Sequence, residues 1–446
     1  MRWFRKRDAH LGSLLIIGLI ASFIIGGSNF RAATGSETYE NLKVFTEVLS
    51  LVESNYVDTV DPKKLVYGAI RGMLKELDPH TVFMTEEMFR EMQVDTKGEF
   101  GGLGITISMQ NDILTVISPI EDTPAWRAGI KAGDKIVKVD GEPTKDMTIS
   151  DAVKMMRGVP GTSVVIAVMR EGLKEPKDYT IVRDIIKLKS VKYKVLDDKI
   201  GYVRITSFQE RTDSDLRAAL QEVFSGDEGL RGLVLDLRNN PGGLLDQAVK
   251  VSGEFLEKEN LVVYTKGRRQ NNNTEYTVRK GGARTDYPMV VLVNRGSASA
   301  SEIVAGALQD WERAVILGTP TFGKGSVQTV IPLEDGSGLR LTTAKYFTPK
   351  GRSIQNTGIT PDIEVVAATI NTGDAGSDPH VKEKDLEGHL SNETVKESDG
   401  AEEKVDQEKR AMDEDYQLQR ALDLLKSWDI FHKIKSTATA KADGAN

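Results

Sequence analysis

The 446-residue chain contains no cysteine. That excludes disulfides, thiol nucleophiles and thiolate metal sites together. Histidine is nearly as scarce, with five in the chain. His10 lies just behind a basic leader, His380 and His389 lie in a polar stretch, and His432 is close to the C-terminus. His80 alone falls in a segment that reads as folded, and its "DPHT" setting has the character of a turn. A Ser-His-Asp triad and a histidine-rich metal centre are therefore poor readings. An enzyme built from this sequence must work with serine, threonine, lysine or carboxylates. Aromatic residues make up only 6% and the net charge is −7, so nothing global points to nucleic acid. The remainder, 39% hydrophobic and 28% charged, is ordinary globular composition.

The N-terminus carries a long uncharged apolar run, "LGSLLIIGLIASFIIGG", behind the basic "MRWFRKR". This reads as a signal peptide or short membrane anchor over 1–36, and the anchor is favoured, basic side inside. The bulk of the chain is then exported: periplasmic or extracytoplasmic, and held at the inner membrane. Residues 37–92 show apolar residues at helical spacing, of the kind that packs on the core or a partner subunit. Residues 93–190 alternate short strands with turn signals and one helix, a compact β-rich module. Residues 191–366 alternate strands and helices, which argues an α/β core. Residues 367–412 are polar and acidic and read as a disordered linker. Residues 413–434 read as an amphipathic helix.

Two stretches in the α/β region carry candidate chemistry. "GTPTFGKGSVQT" (318–329) resembles a phosphate-binding loop through Gly318, Gly323 and Lys324. The Ser or Thr that must come directly after the lysine is replaced by Gly325, and the residues beyond it read as strands rather than a helix. A nucleotide hydrolase is thus disfavoured, and Lys324 needs another task. "VLVNRGSASASEIVAGAL" reads as a buried strand, a Gly-Ser turn and a helix starting near Ala300. N–H groups at such a turn are unpaired and can hold an oxyanion. The preceding strand "LVLDLR" ends in "NNPGG", so two neighbouring strand ends can bring the Gly242, Gly243 and Ala300 amides around one carbonyl oxygen. Lysine serves as a base when neutral, and burial lowers its pKa. If its stretch is a strand, Lys324, Ser326 and Gln328 share a face, and the glutamine oxygen can orient the amine. On spacing alone, a solvated lysine in a glycine-rich turn beside a serine helix cap remains an open reading.

Taken together, "LDPHTVFM", "GGLGI", "DLRNNPGG", "GSASASEIVAGAL" and "GTPTFGKGSVQ" resemble the C-terminal processing peptidases, or tail-specific proteases. These are Ser-Lys endopeptidases with an embedded PDZ domain, and the resemblance runs from Tyr39 to Val365. It implies an α/β fold with a crotonase-like/ClpP-like protease core, an inserted PDZ domain and an N-terminal helical segment. It implies Ser299 as nucleophile, Lys324 as general base and Gln328 as the residue that positions it. The oxyanion hole falls to Ala300 and Gly243, with Gly242 as a further candidate, and no cofactor or metal is needed. The PDZ residues Gly102, Leu103, Gly104 and Ile105 would hold the C-terminus of polypeptide substrates with apolar tails. Arg157 is a regulatory candidate linking that groove to the active site. Expected partners are an activating adaptor protein and further copies of the chain, as a dimer or larger. The competing reading is a non-catalytic PDZ scaffold on a protease-like fold.

Overall fold

The computed structural model describes residues 38–110, 113–170, 172–196, 199–225, 230–281, 287–367 and 415–428. The expected anchor and nearly all of the expected acidic linker lie outside these. Among the described residues no helix is long and apolar enough to cross a membrane. The chain divides into two units, Met1–Glu76 and Leu77–Asn446.

In the first unit, α1 (38–55) and α2 (Pro62–Lys75) keep to the helical spacing of the sequence. Asp61 caps α2 by accepting from the Lys63 N–H at 2.9 Å, and Pro62 occupies the first turn, where no N–H is needed. Leu42, Phe45, Val48 and Leu51 of α1 are exposed.

The second unit opens with β1 (Val82–Met84), α3 (Glu86–Lys97) and β2 (Glu99–Gly102). Next comes a β-rich module: β3 (Ile105–Gln110), β4 (Ile113–Pro119), α4 (Pro124–Arg127), β5 (Lys135–Val139), β6 (Glu142–Pro143), α5 (Ile149–Met156), β7 (Ser163–Met169) and β8 (Lys177–Val182). Its sheet runs β3-β4-β5-β7-β8, which leaves β3 at an edge, and its own core includes Leu103, Ile136, Ala152 and Ile166. The return strand β9 (Asp184–Lys187) pairs with β2 and closes the module.

The remaining elements are β10 (Val191–Leu196), β11 (Ile200–Ile205), α6 (Thr212–Val223), β12 (Gly232–Asp236), α7 (Leu245–Gly253), β13 (Leu261–Gly267), β14 (Thr274–Thr277), β15 (Met289–Val293), α8 (Ala300–Asp310), β16 (Val315–Gly318), β17 (Ser326–Pro332), β18 (Gly338–Phe347), β19 (Ile363–Glu364) and α9 (416–428). A six-stranded sheet runs β10-β11-β12-β15-β16-β19, parallel from β11 onward. Every residue of β12 and β15 is buried, as befits strands covered on both faces. On one face Leu233, Leu235, Val291 and Val293 pack with Leu216, Ala248 and Val304 of α6–α8. On the other, Val234, Val290 and Leu292 pack with Ala421 and Leu425 of α9. A second sheet is built on β18, which pairs with β17 and also with β1 and β13.

Candidate active site

The parallel pairing of β12 with β15 sets two turns side by side. Asn294 closes both: its Oδ1 accepts from Asn239 N at 2.9 Å and from Gly296 N at 3.0 Å. Ser297 Oγ donates to Leu237 O (2.8 Å), and Ser301 Oγ donates to Asn240 O (2.9 Å). Both hydroxyls are therefore spent on holding the turns. Ser299, between them, sits at φ 56°, ψ −111°, immediately before α8. Such a backbone costs of order 1–3 kcal/mol in a non-glycine residue and persists only where its surroundings impose it.

Gly242 and Gly243 lie against this turn. A Cβ on Gly242 would stand 2.7 Å from Ala298 O and 2.9 Å from Ala300 N. The Gly242 N–H donates to Asn240 Oδ1 at 2.9 Å, so it is not available to an oxyanion. Gly243, at φ 144°, is bracketed by Phe208: the Phe208 N–H donates to Gly242 O and the Leu244 N–H to Phe208 O. The Gly243 and Ala300 N–H groups donate to no acceptor among the described residues. Of the two candidate glycines the geometry thus favours Gly243, while Gly242 supplies close approach.

Lys324 belongs to the glycine-rich loop rather than to a strand; β17 begins at Ser326. The reason lies in its main chain. The Lys324 N–H donates to Glu302 Oε2 at 3.0 Å, and its carbonyl accepts from the Tyr346 hydroxyl. Gly325 N donates to Gln355 Oε1 at 2.9 Å, and Asn356 N to Gly323 O at 2.8 Å. A Cβ on Gly325 would stand 2.6 Å from Gln355 N, which explains the glycine after the lysine. The loop leads into a strand, so no helix N-terminus faces a phosphate here.

Glu302 joins the two halves. It is fully buried on α8. Oε2 accepts from Ser299 N at 2.7 Å and from Lys324 N at 3.0 Å. Oε1 accepts from the Thr321 hydroxyl at 2.6 Å and from Gly323 N at 2.7 Å. One oxygen therefore holds the main chains of the serine and the lysine together. Burial pushes the Glu302 carboxyl up to about 7, against the pull of these four hydrogen bonds. Reading the sequence for chemistry missed this residue. Its signal was present as the Ser-x-x-Glu spacing of a helix start, Ser299 to Glu302.

Gln328 lies on β17, and its Nε2 donates to Ser326 Oγ at 2.7 Å. In the β-rich module, Gly102 ends β2, while Leu103 and Gly104 lead into the edge strand β3, which begins at Ile105. Gly104 has φ 79°, and its carbonyl accepts from Ile120 N at 2.8 Å. Arg157 ends α5 and stacks its guanidinium on Phe100, 4.5 Å from the ring centroid. His80 sits in the expected turn, where Asp78 Oδ1 accepts from its N–H at 2.8 Å. Among the described residues no cluster of histidine and carboxylates could hold a metal ion.

Comparison with known proteins gives a consistent picture. Residues 199–365 match the description "Peptidase family S41", residues 115–170 "PDZ domain", and residues 27–88 "Activating protease CtpB N-terminal domain". A carboxy-terminal-processing protease of Bartonella bacilliformis is 49% identical over 374 residues, covering 83% of this chain and 86% of its own. The carboxy-terminal processing protease CtpA of Bacillus subtilis is 34% identical over 394 residues, covering 84% and 83%. Among solved structures, a photosystem II D1 C-terminal processing protease is similar at 32% identity with a TM-score of 0.43, covering 72% of this chain and 92% of its own.

Proposed function

Since the chain belongs to the carboxy-terminal processing proteases of peptidase family S41, and so is a serine peptidase, we propose that it cuts polypeptides with a Ser299–Lys324 dyad. Neutral Lys324 takes the Ser299 hydroxyl proton, and the alkoxide attacks a peptide carbonyl. The oxyanion meets the N–H groups of Ala300 and Gly243. Lys324 returns the proton to the leaving amine, and water hydrolyses the acyl-enzyme by the same route. Gln328 orients the lysine. The observation that carries this reading is the shared acceptor: Ser299 N and Lys324 N both bind Glu302 Oε2.

Substrate choice falls to the PDZ module. An extended tail adds to the β3 edge as a further strand, and the Gly102–Ile105 turn receives its terminal carboxylate. Apolar tails of exported proteins suit a groove bordered by Ile105, Ile107 and Met109, which pack on the module's core. Arg157, stacked beside this turn, is the proposed link between tail binding and activity. The match of residues 27–88 to an activating-protease domain supports a partner protein that promotes cleavage. The exposed apolar face of α1 supports assembly of several copies. We place the enzyme outside the cytoplasm, anchored at the inner membrane through its N-terminal segment.

The test is cleavage of a folded protein bearing an apolar C-terminal tail. Wild type cuts; Ser299→Ala and Lys324→Ala lose about 10⁴-fold or more in kcat while melting as wild type does. A Lys324→Ala enzyme that retains wild-type kcat removes the lysine as base.

A further inference from the structure

The "LDPHT" stretch has no part in the Ser-Lys chemistry, yet it reaches the active-site strand pair. Asp78 is buried, and its carboxylate accepts four hydrogen bonds. His80 N and Thr81 N donate to Oδ1 at 2.8 and 2.9 Å, the Thr81 hydroxyl to Oδ2 at 2.6 Å, and the Thr342 hydroxyl to Oδ1 at 3.1 Å. Thr342 lies on β18 directly opposite Gln328 of β17. Its N–H in turn donates to Thr81 Oγ1 at 3.2 Å, which fixes the threonine against the turn.

We infer that Asp78 and Thr342 are positioning residues that set which end of the Gln328 amide faces the lysine. A carboxylate offers only acceptors, so Thr342 must spend its one hydroxyl proton on Asp78. Toward Gln328 the Thr342 oxygen then offers only lone pairs. It receives Gln328 Nε2 at 3.5 Å, beside the shorter 2.7 Å bond from the same nitrogen to Ser326 Oγ. With the amide nitrogen drawn to these two hydroxyls, the acceptor end, Oε1, keeps its lone pairs and is the end assigned to the Lys324 amine. Were Thr342 free to donate, the amide could turn over and present an N–H to the lysine, which a protonated amine cannot accept and on which a neutral amine would spend the lone pair it needs for the serine proton. A turn some 250 residues upstream thus sets the polarity of the orienting glutamine.

This inference rests on the dyad reading, and a double-mutant cycle separates the two. In full-length enzyme cutting the tailed protein, Thr342→Val keeps the shape and removes the hydroxyl with its hydrogen bonds to Asp78, Gln328 and Thr81. It is expected to lower kcat about tenfold with KM unchanged, and Thr342→Ser is expected to restore kcat. In a Gln328→Ala background, Thr342→Val is expected to add nothing, because it acts through the glutamine. If it costs the same factor in both backgrounds, the role of Thr342 is structural and the inference is overturned. If Gln328→Ala is impaired while Thr342→Val cuts as wild type does, the inference falls and the dyad reading stands. If Gln328→Ala itself cuts as wild type does, the orienting role of the glutamine falls, and the inference with it.

Discussion

Gly242 has no room for a side chain. It adopts φ 98°, and a Cβ would press on Ala298 O and Ala300 N, both backbone atoms that cannot swing away. Gly242→Ala should therefore push the Ser299–Ala300 turn out of place. The expected result is a loss of about 1–3 kcal/mol in stability and a fall in kcat of roughly a hundredfold, read by thermal melts and steady-state kinetics. A variant with wild-type kcat would mean that the turn tolerates displacement. Glu302 makes a prediction of a different kind. Its folded-state value of about 7 lies above the ordinary 4.5, because burial penalises the charge. Between these two values the unfolded chain has released the proton while the folded chain holds it. Stability should therefore decline as pH rises across that window and level off above it. Activity should move the other way, since only the carboxylate can accept all four donors. Glu302→Gln should flatten the stability decline and lower kcat at least tenfold. Melts of both proteins across the window decide the matter. Parallel profiles would show that Glu302 is charged throughout.

At the level of elements, most of the active-site region was legible. The apolar runs "GLVLD" and "MVVLV" announce strands buried on both faces, and β12 and β15 are those strands. The serine turn before α8 is announced by a Gly-Ser stretch between a strand and a helical run. Spacing leaves open whether Lys324 stands in a strand or in a glycine-rich turn, and it lies in a loop. Its conformation is set by Glu302, Gln355 and Tyr346, residues that no local pattern connects to it. Spacing alone likewise leaves the Gly242 N–H available, and only the fold reveals that Asn240 takes it. Side chains that bond to main chain across long sequence separations leave no periodic trace. The PDZ module offers the element-scale prediction. If the β3 edge takes a tail as an added strand, blocking the terminal carboxylate as an amide should weaken binding at least tenfold. Moving the same apolar sequence to an internal position should do the same. Titration of the three peptides against the enzyme checks this, and equal affinities would sink the terminal-carboxylate reading.

For the whole molecule, the tail helix decides how the core is finished. Strands apolar on both faces need cover on both sides. Helices α6–α8 cover one face of the parallel sheet, and α9 covers the other with Ala421 and Leu425. The amphipathic pattern of the tail was readable, but its docking face was not, since nothing local says which strand face it meets. Its first residues also clasp the loop that leads to Gly242 and Gly243. Arg238 donates to Asp415 Oδ2 at 2.6 Å and to Gln417 Oε1 at 3.1 Å, while Gln417 Nε2 donates to Val365 O at 2.7 Å. Burial opposes the charge on Arg238, and the hydrogen bonds to Asp415 and Asp236 more than offset it. Asp415→Ala should cost only about 1–2 kcal/mol, because Asp415 is partly exposed and Asp236 remains as a partner. A chain ending at residue 367 should fare far worse. It uncovers Val234, Val290, Leu292 and Leu317 and leaves Arg238 with one carboxylate. Losing two or three buried aliphatic contacts of about 1.5–3 kcal/mol each takes a large share of a stability of roughly 5–15 kcal/mol. The truncated chain should melt many degrees lower and aggregate, while Asp415→Ala melts only a few degrees below wild type. Differential scanning calorimetry on the three proteins tests the ranking. A truncated chain that melts with wild type would mean that the sheet's outer face does not depend on α9 for its cover.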